Sequence, residues 1–196
     1  MPLDLTMICA PYDRAQALIE GTVKPEGIEL QVQVDTDDVS RHFDGHGGRF
    51  DIAEFFTGRY IVDLPFKTLG FTAIPIFVKR MFRHSYIYVN TNAGISKPAD
   101  LNGKRVGIQS WFTTTALWAR GILAEEYGVD LKSINWVAGR PSENPDEWSP
   151  PSWLNLEVVE GYSRLRELLL AGSIDAMITT ATLAPEDRPQ VDFLFP

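Results

Sequence analysis

The sequence is short of several things, and each shortage excludes a class of chemistry. Cys9 is the only cysteine in 196 residues, so no intramolecular disulfide framework and no multi-thiolate zinc or iron–sulfur site can form. No apolar stretch approaches the roughly 20 residues needed to cross a bilayer. The first ten residues, MPLDLTMICA, contain no Lys or Arg and carry Asp4, which is not the basic start and apolar run of a secretory signal. Gly45–His46–Gly47–Gly48 matches neither a dinucleotide fingerprint nor a P-loop. There is no G-x-S-x-G elbow, and Cys9 has no motif-level partner for nucleophilic catalysis. Positive charge is also scarce. Eighteen Lys and Arg against 26 Asp and Glu leave a net charge of −8, a field that repels nucleic acid. The reading is an acidic, soluble, cytoplasmic protein with neither nucleic acid nor membrane as partner.

What is present supports folded lobes. Hydrophobic residues make up 44% and aromatic ones 11% of the chain, enough for real cores. Short apolar runs alternate with amphipathic segments, which predicts α/β architecture with mostly parallel sheets. Strands are expected at Leu3–Cys9, Ile28–Val34, Asp51–Phe55, Ser85–Asn90, Arg105–Gln109, Ile134–Ala138, Leu154–Val159 and Ile174–Ile178, with a further apolar run at Phe71–Val78. Helices are expected at Tyr12–Glu20, Thr113–Tyr127 and Ser163–Ala171, with a short turn between Pro98 and Gly103. The expected division is a first lobe of residues 1–85 plus 180–196 and a second of residues 86–179. The apolar end, Phe193–Leu194–Phe195–Pro196, has nothing after it to bury against, and a truncated chain with an incomplete first lobe is expected. An incomplete lobe would favour a homo-oligomer.

In open α/β sheets ligands bind beyond the carboxyl ends of strands, where helix N-termini expose backbone N–H groups. That rule selects Ala10–Arg14, Glu54–Thr57, Gln109–Thr115, Gly139–Arg140 and Thr179–Thr182. Their hydroxyls and arginines suit a small anion. Arg14 and Thr180 enter as candidate ligand-binding residues on this ground. Ser110, Thr113 and Thr114 stand at a helix start, where hydroxyls either cap the helix or donate to a bound carboxylate. Arg120 lies about two turns beyond Thr113 and leans back toward the helix N-terminus; the alternative is an exposed arginine. Arg83 and His84 belong to the densest cationic segment, Arg80–Ser85. Arginine clamps a carboxylate with a planar fork, and His84 can move a proton near neutral pH. Glu54 stands among apolar residues, either solvated at a strand end or buried with a partner. His42 and His46 read as exposed residues of a polar loop, and no metal site is expected. The tryptophans read as packing.

Longer stretches carry a resemblance. Lys97–Pro98–Ala99–Asp100–Leu101–Asn102–Gly103–Lys104–Arg105–Val106–Gly107 resembles a turn of type II periplasmic-binding-protein folds in the taurine- and thiamine-precursor-binding branch. Met81–Phe82–Arg83–His84–Ser85 with Ile87–Tyr88–Val89–Asn90, and Ala116–Leu117–Trp118–Ala119–Arg120–Gly121–Ile122–Leu123 with Tyr127–Gly128–Val129, are more specific. With Val23–Ile28 and Phe50–Glu54 they resemble the 4,5-dihydroxyphthalate decarboxylase family from about residue 5 to 178. Members of that family are longer, with a C-terminal portion that completes the first lobe. They are also expected to carry a Pro–Arg pair where this chain has Thr179–Thr180–Ala181–Thr182.

The resemblance implies two hinged lobes and decarboxylation of a hydroxylated aromatic dicarboxylate, giving protocatechuate and carbon dioxide. It implies a carboxylate held by Arg83 and Arg120 with Thr113 and Thr114 as hydroxyl donors. Glu54 or His84 would handle the proton, and no cofactor is demanded. The rival reading is a non-catalytic binding protein for a small aromatic or aliphatic carboxylate or a sulfonate, because the same groups serve that role. A degenerate homologue that folds poorly is the third.

Overall fold

A computed structural model describes residues 1–36, 49–66, 70–139 and 149–195. His42, His46, the Gly45–Gly48 loop, Arg140 and Trp148 lie outside the described residues. The chain divides into two compact units, Met1–Met81 and Phe82–Pro196.

The first unit is built on β1 (Leu3–Cys9), β2 (Ile28–Val34) and β3 (Ile52–Ala53), in a parallel sheet of order β2-β1-β3. After β1 the chain makes a 3₁₀ turn, Asp13–Ala15, and a short helix α1, Gln16–Ile19. Gly21 then ends that helix at φ 68°, a conformation open to glycine without a Cβ penalty. β3 is shorter than the expected Asp51–Phe55. Its start is fixed by Asp51, which accepts from the Thr6 backbone N–H and hydroxyl at 2.8 and 2.7 Å; these bonds hold the Asp51 carboxyl below its usual range. Helix α2, Thr57–Asp63, escapes a propensity reading because Gly58, Thr57 and two β-branched residues are poor helix formers. Phe71–Val78 forms no strand: Pro75 removes a ladder donor, and Ile74, Ile76 and Phe77 are exposed. Among its described residues few side chains are fully withdrawn from water. Ile8 and Phe50 make the buried apolar cluster, with Ala10 and Ala53 against it, and Cys9 is 1% exposed.

The second unit is a six-stranded sheet of β4 (Ile87–Asn90), β5 (Arg105–Ile108), β6 (Asn135–Ala138), β7 (Asn155–Val158), β8 (Ala176–Ile178) and β9 (Val191–Phe193). Its order is β7-β6-β5-β8-β4-β9, parallel except for β4, which runs against both neighbours. Alternation along the strands sends side chains to two faces. Ile87, Val89, Val106, Ile108, Trp136, Ala138, Ala176 and Ile178 meet Ala116, Ala119 and Leu123 of α3 (Thr114–Glu125) on one face. Tyr88, Val137 and Met177 meet Leu165 and Leu169 of α4 (Gly161–Leu170) on the other. Close approach explains two glycines. A Cβ on Gly107 would stand 2.7 Å from Ile174 Cδ1, and one on Gly139 would stand 2.8 Å from Leu165 Cδ1 and 3.1 Å from the Gly161 carbonyl oxygen.

The expected return of residues 180–196 to the first lobe is corrected. β9 pairs antiparallel with β4 (Tyr88 opposite Phe193, Asn90 opposite Val191). Val191 and Leu194 are buried in the second unit's two cores. Arg166 of α4 donates to both Asp187 oxygens at 2.9 and 2.5 Å, pinning the connecting segment. The apolar end therefore has a place to bury: the edge of the second sheet.

Candidate anion site and the proton-handling groups

Topology gathers the candidates of the second unit on one edge. The carboxyl ends of β5, β6, β7, β8 and β9 and the amino end of β4 share it. Ser110–Thr115 follows β5, Thr179–Thr180 follows β8, Arg83 and His84 precede β4, and Phe195 follows β9.

The start of α3 is the most built-up part of this edge. Thr113 is its N-cap; its hydroxyl accepts from the Ala116 N–H at 3.4 Å and donates to the Ser110 carbonyl at 3.2 Å. Ser110 is fully buried, and its Oγ accepts from the Phe112 N–H at 3.3 Å. The first turn of α3 carries no acidic side chain, so the positive end of the helix dipole has no neutralising carboxylate of its own. Arg120 reaches back along the helix. Its Nη1 donates to the Trp111 carbonyl at 2.8 Å, and its guanidinium carbon lies 3.7 Å from the Trp111 ring centroid. The residue is 7% exposed, and burial pulls its pKa down to about 10. Among the described residues no carboxylate lies within ion-pair distance of it. A buried cation without a counter-ion is costly, and an incoming anion relieves that cost.

Arg83 comes to the same segment from the other side in sequence. Its Nη1 donates to Thr115 Oγ1 at 2.9 Å, and its guanidinium carbon lies 5.6 Å from the Tyr86 ring centroid. Partial burial lowers its pKa as well. The two arginines are thus both tied to residues 111–115. The hydroxyl that meets Arg83 is that of Thr115, while that of Thr113 is engaged in capping. Trp111 turns its edge toward Trp136 (centroids 5.6 Å apart) and lies 6.3 Å from Trp153, which fixes the platform on which Arg120 rests.

The remaining candidates are placed less pointedly. His84 sits in an aromatic cluster, edge-on to Phe195 at 4.9 Å and Tyr127 at 6.0 Å. Thr180 is exposed, whereas Thr179 is buried and its hydroxyl accepts from the Ala181 N–H at 3.1 Å.

In the first unit β1 and β3 pair in parallel (Met7 opposite Ile52, Ile8 opposite Ala53), so the residues just past each strand emerge at the same edge. Glu54, half-buried, accepts the Tyr12 hydroxyl at 2.9 Å on Oε1 and 3.0 Å on Oε2. Burial first, and then the bond to Glu54, push the Tyr12 hydroxyl pKa well up; burial and the Glu54 charge raise that of Cys9. The structure gives Glu54 a hydrogen-bond partner but leaves it half-buried, between the two environments foreseen for it. Arg14 is exposed; it donates to the Val78 carbonyl and lies 3.4 Å from Asp13 Oδ1. Sequence alone does not single out Tyr12, Trp111 or Thr115. The strand-end rule selects the segments holding them, but nothing in residue type marks which side chain turns inward. Among the described residues no group of three His, Cys, Asp or Glu could hold a metal ion.

A mixed α/β chain with parallel-dominated sheets is the architecture of the type II periplasmic binding proteins. The solved structure of the periplasmic aliphatic sulphonate binding protein SsuA from Escherichia coli matches with a TM-score of 0.52 at 15% identity, covering 100% of this chain and 60% of its own. That likeness establishes the fold. Sequence carries the likeness further: the chain is similar to two proteins named 4,5-dihydroxyphthalate decarboxylase. It is 35% identical to the enzyme of that name from Comamonas testosteroni over 98% of this chain, and spans 60% of that enzyme's length. It is 28% identical to the one from Pseudomonas putida, over 98% of this chain and 77% of that protein. No protein-family model matches the chain.

Proposed function

We propose that the chain decarboxylates a hydroxylated aromatic dicarboxylate of the 4,5-dihydroxyphthalate type, giving protocatechuate and carbon dioxide. The 35% identity along almost the whole chain to a decarboxylase of that name carries the choice of reaction. The buried guanidinium of Arg120, with no carboxylate partner among the described residues, supports an anionic ligand.

In such a substrate each ring carboxylate is para to a hydroxyl. Electron release from that hydroxyl makes the ring carbon bearing the carboxylate basic. A proton adds there, the carbon–carboxylate bond breaks, its electron pair restores the aromatic ring, and carbon dioxide leaves. Arg83 and Arg120 hold the carboxylate that stays, because a planar fork suits it and both are partly desolvated. His84, which lies in the same unit as both arginines and directly follows Arg83 before β4, handles the proton.

The test is incubation of the purified chain with 4,5-dihydroxyphthalate, monitoring carbon dioxide and protocatechuate. Product is expected from the wild type. Arg120→Met, which keeps much of the side chain's bulk, is expected to weaken substrate affinity about 10- to 100-fold, the value of one or two charge-assisted hydrogen bonds. Thermal stabilisation by the acid without carbon dioxide release would favour a non-catalytic binding protein. Unchanged affinity in both Arg120→Met and Arg83→Met would remove the anion site.

A further inference from the structure

We infer that Trp111 is a positioning residue: its indole face and its carbonyl together orient the Arg120 guanidinium for an incoming carboxylate. The inference rests on the carboxylate-holding role proposed for Arg120 and names the residue that sets its geometry. Every group it uses belongs to the second unit.

Two contacts come from one residue. The Arg120 Cζ lies 3.7 Å from the Trp111 ring centroid, which is carbon–carbon contact distance. The cation therefore sits over the ring, because an approach to the ring's edge would stop farther from the centroid. No N–H fits between the two, so the guanidinium lies along the face and its donors are directed sideways. Nη1 donates to the Trp111 carbonyl at 2.8 Å, which fixes rotation in that plane. The other N–H groups have no acceptor among the described residues, and they supply the planar fork that a carboxylate takes. The platform is itself anchored. Trp111 stands edge-to-face with Trp136, at 5.6 Å and 82°, and Trp136 belongs to β6, where it is 1% exposed with its ring N–H held by the Leu131 carbonyl at 3.1 Å. An indole also does here what a carboxylate could not. A buried cation needs compensation, but an Asp or Glu beside Arg120 would neutralise it and compete with the ligand. The negative face of the ring stabilises the charge without cancelling it, and the charge stays available to an anion. Burial lowers the Arg120 pKa only to about 10, so the group is a cation at neutral pH.

Six proteins test this: wild type, Trp111→Phe and Trp111→Met, each with Arg120 intact or with Arg120→Met. Each is titrated calorimetrically with phthalate, an aromatic dicarboxylate lacking the hydroxyls that the reaction needs, and checked by thermal melting. With Arg120 intact, Trp111→Met is expected to weaken binding about tenfold and Trp111→Phe about threefold, following the strength of each side chain as a cation partner. With Arg120→Met, both changes are expected to alter affinity less than about twofold, because groups in contact are not additive. Trp111→Phe, the gentler change, carries the test if Trp111→Met does not fold. No weakening in Trp111→Met, equal weakening in both backgrounds, or Trp111→Phe no tighter than Trp111→Met overturns the inference while leaving Arg120 its role. Unchanged affinity in Arg120→Met alone overturns the anion site and the inference with it, and leaves the choice of reaction to the product assay. Absence of phthalate binding to the wild type does the same.

Discussion

The two units of this chain solve the same problem with very different means. The second covers both faces of a six-stranded sheet and buries two apolar clusters, one under α3 and one under α4. The first has, among its described residues, three strands and a buried cluster of Ile8 and Phe50, with Phe56, Ile61, Leu64, Ile74, Ile76 and Phe77 exposed. Stability scales with apolar area withdrawn from water. In the second unit the arginines and the α3 start are therefore held by a framework that does not depend on them. In the first, polar pairs carry a larger share of the order: Thr6 with Asp51, Tyr12 with Glu54, Arg59 with Asp63.

The largest expected effect contrasts one core residue from each unit. Trp136 is 1% exposed and its ring N–H donates to the Leu131 carbonyl at 3.1 Å. Trp136→Ala is expected to cost about 3–5 kcal/mol in urea unfolding, and Ile8→Ala about 2 kcal/mol, because a thin core relaxes around the gap. Equal costs would break the contrast. Next comes Asp187→Asn, which removes the charge that Arg166 grips and is expected to cost about 2 kcal/mol. The loss should appear in the transition of the second unit, which sharpens the placement of the tail there. Loss in the first unit's transition would reverse it.

The smallest effect is alkaline. Tyr12 has its pKa raised above the ordinary 10, so the unfolded chain releases that proton first and the first unit loses stability as pH climbs past about 10. Arg120 is lowered from 12.5 to about 10. Between about pH 10 and 12.5 the unfolded chain holds more protons at this group, so its contribution to the second unit's stability rises with pH. Compared with wild type, Tyr12→Phe should flatten the alkaline decline in the first unit, and Arg120→Met should steepen that in the second. Stability measured against pH for the three proteins checks both signs.

Much of the framework was legible because its signals are local. Ile28–Val34 alternates in period two and is a strand with those bounds; Leu3–Cys9 likewise. What failed was decided by distant partners. β9 is three residues long and exists because β4 offers an open edge, which no pattern in Val191–Phe193 announces. The site was legible as segments rather than as side chains. The lean of Arg120 toward the α3 start follows from helix geometry, and its bond to Trp111 agrees with that lean. The meeting of Tyr12 with Glu54 depends on which strand lies beside β1, and that of Thr115 with Arg83 depends on where Arg83 arrives.

The single thiol lies in β1 of the first unit, 1% exposed, while all five indoles fall between residues 111 and 153 of the second. Nature has thus labelled the halves with separate spectroscopic handles. A thiol-reactive chromophore counts excursions of the smaller half, intrinsic fluorescence tracks the larger one, and neither needs an introduced probe. Ligand added during such an experiment would disclose which half it steadies.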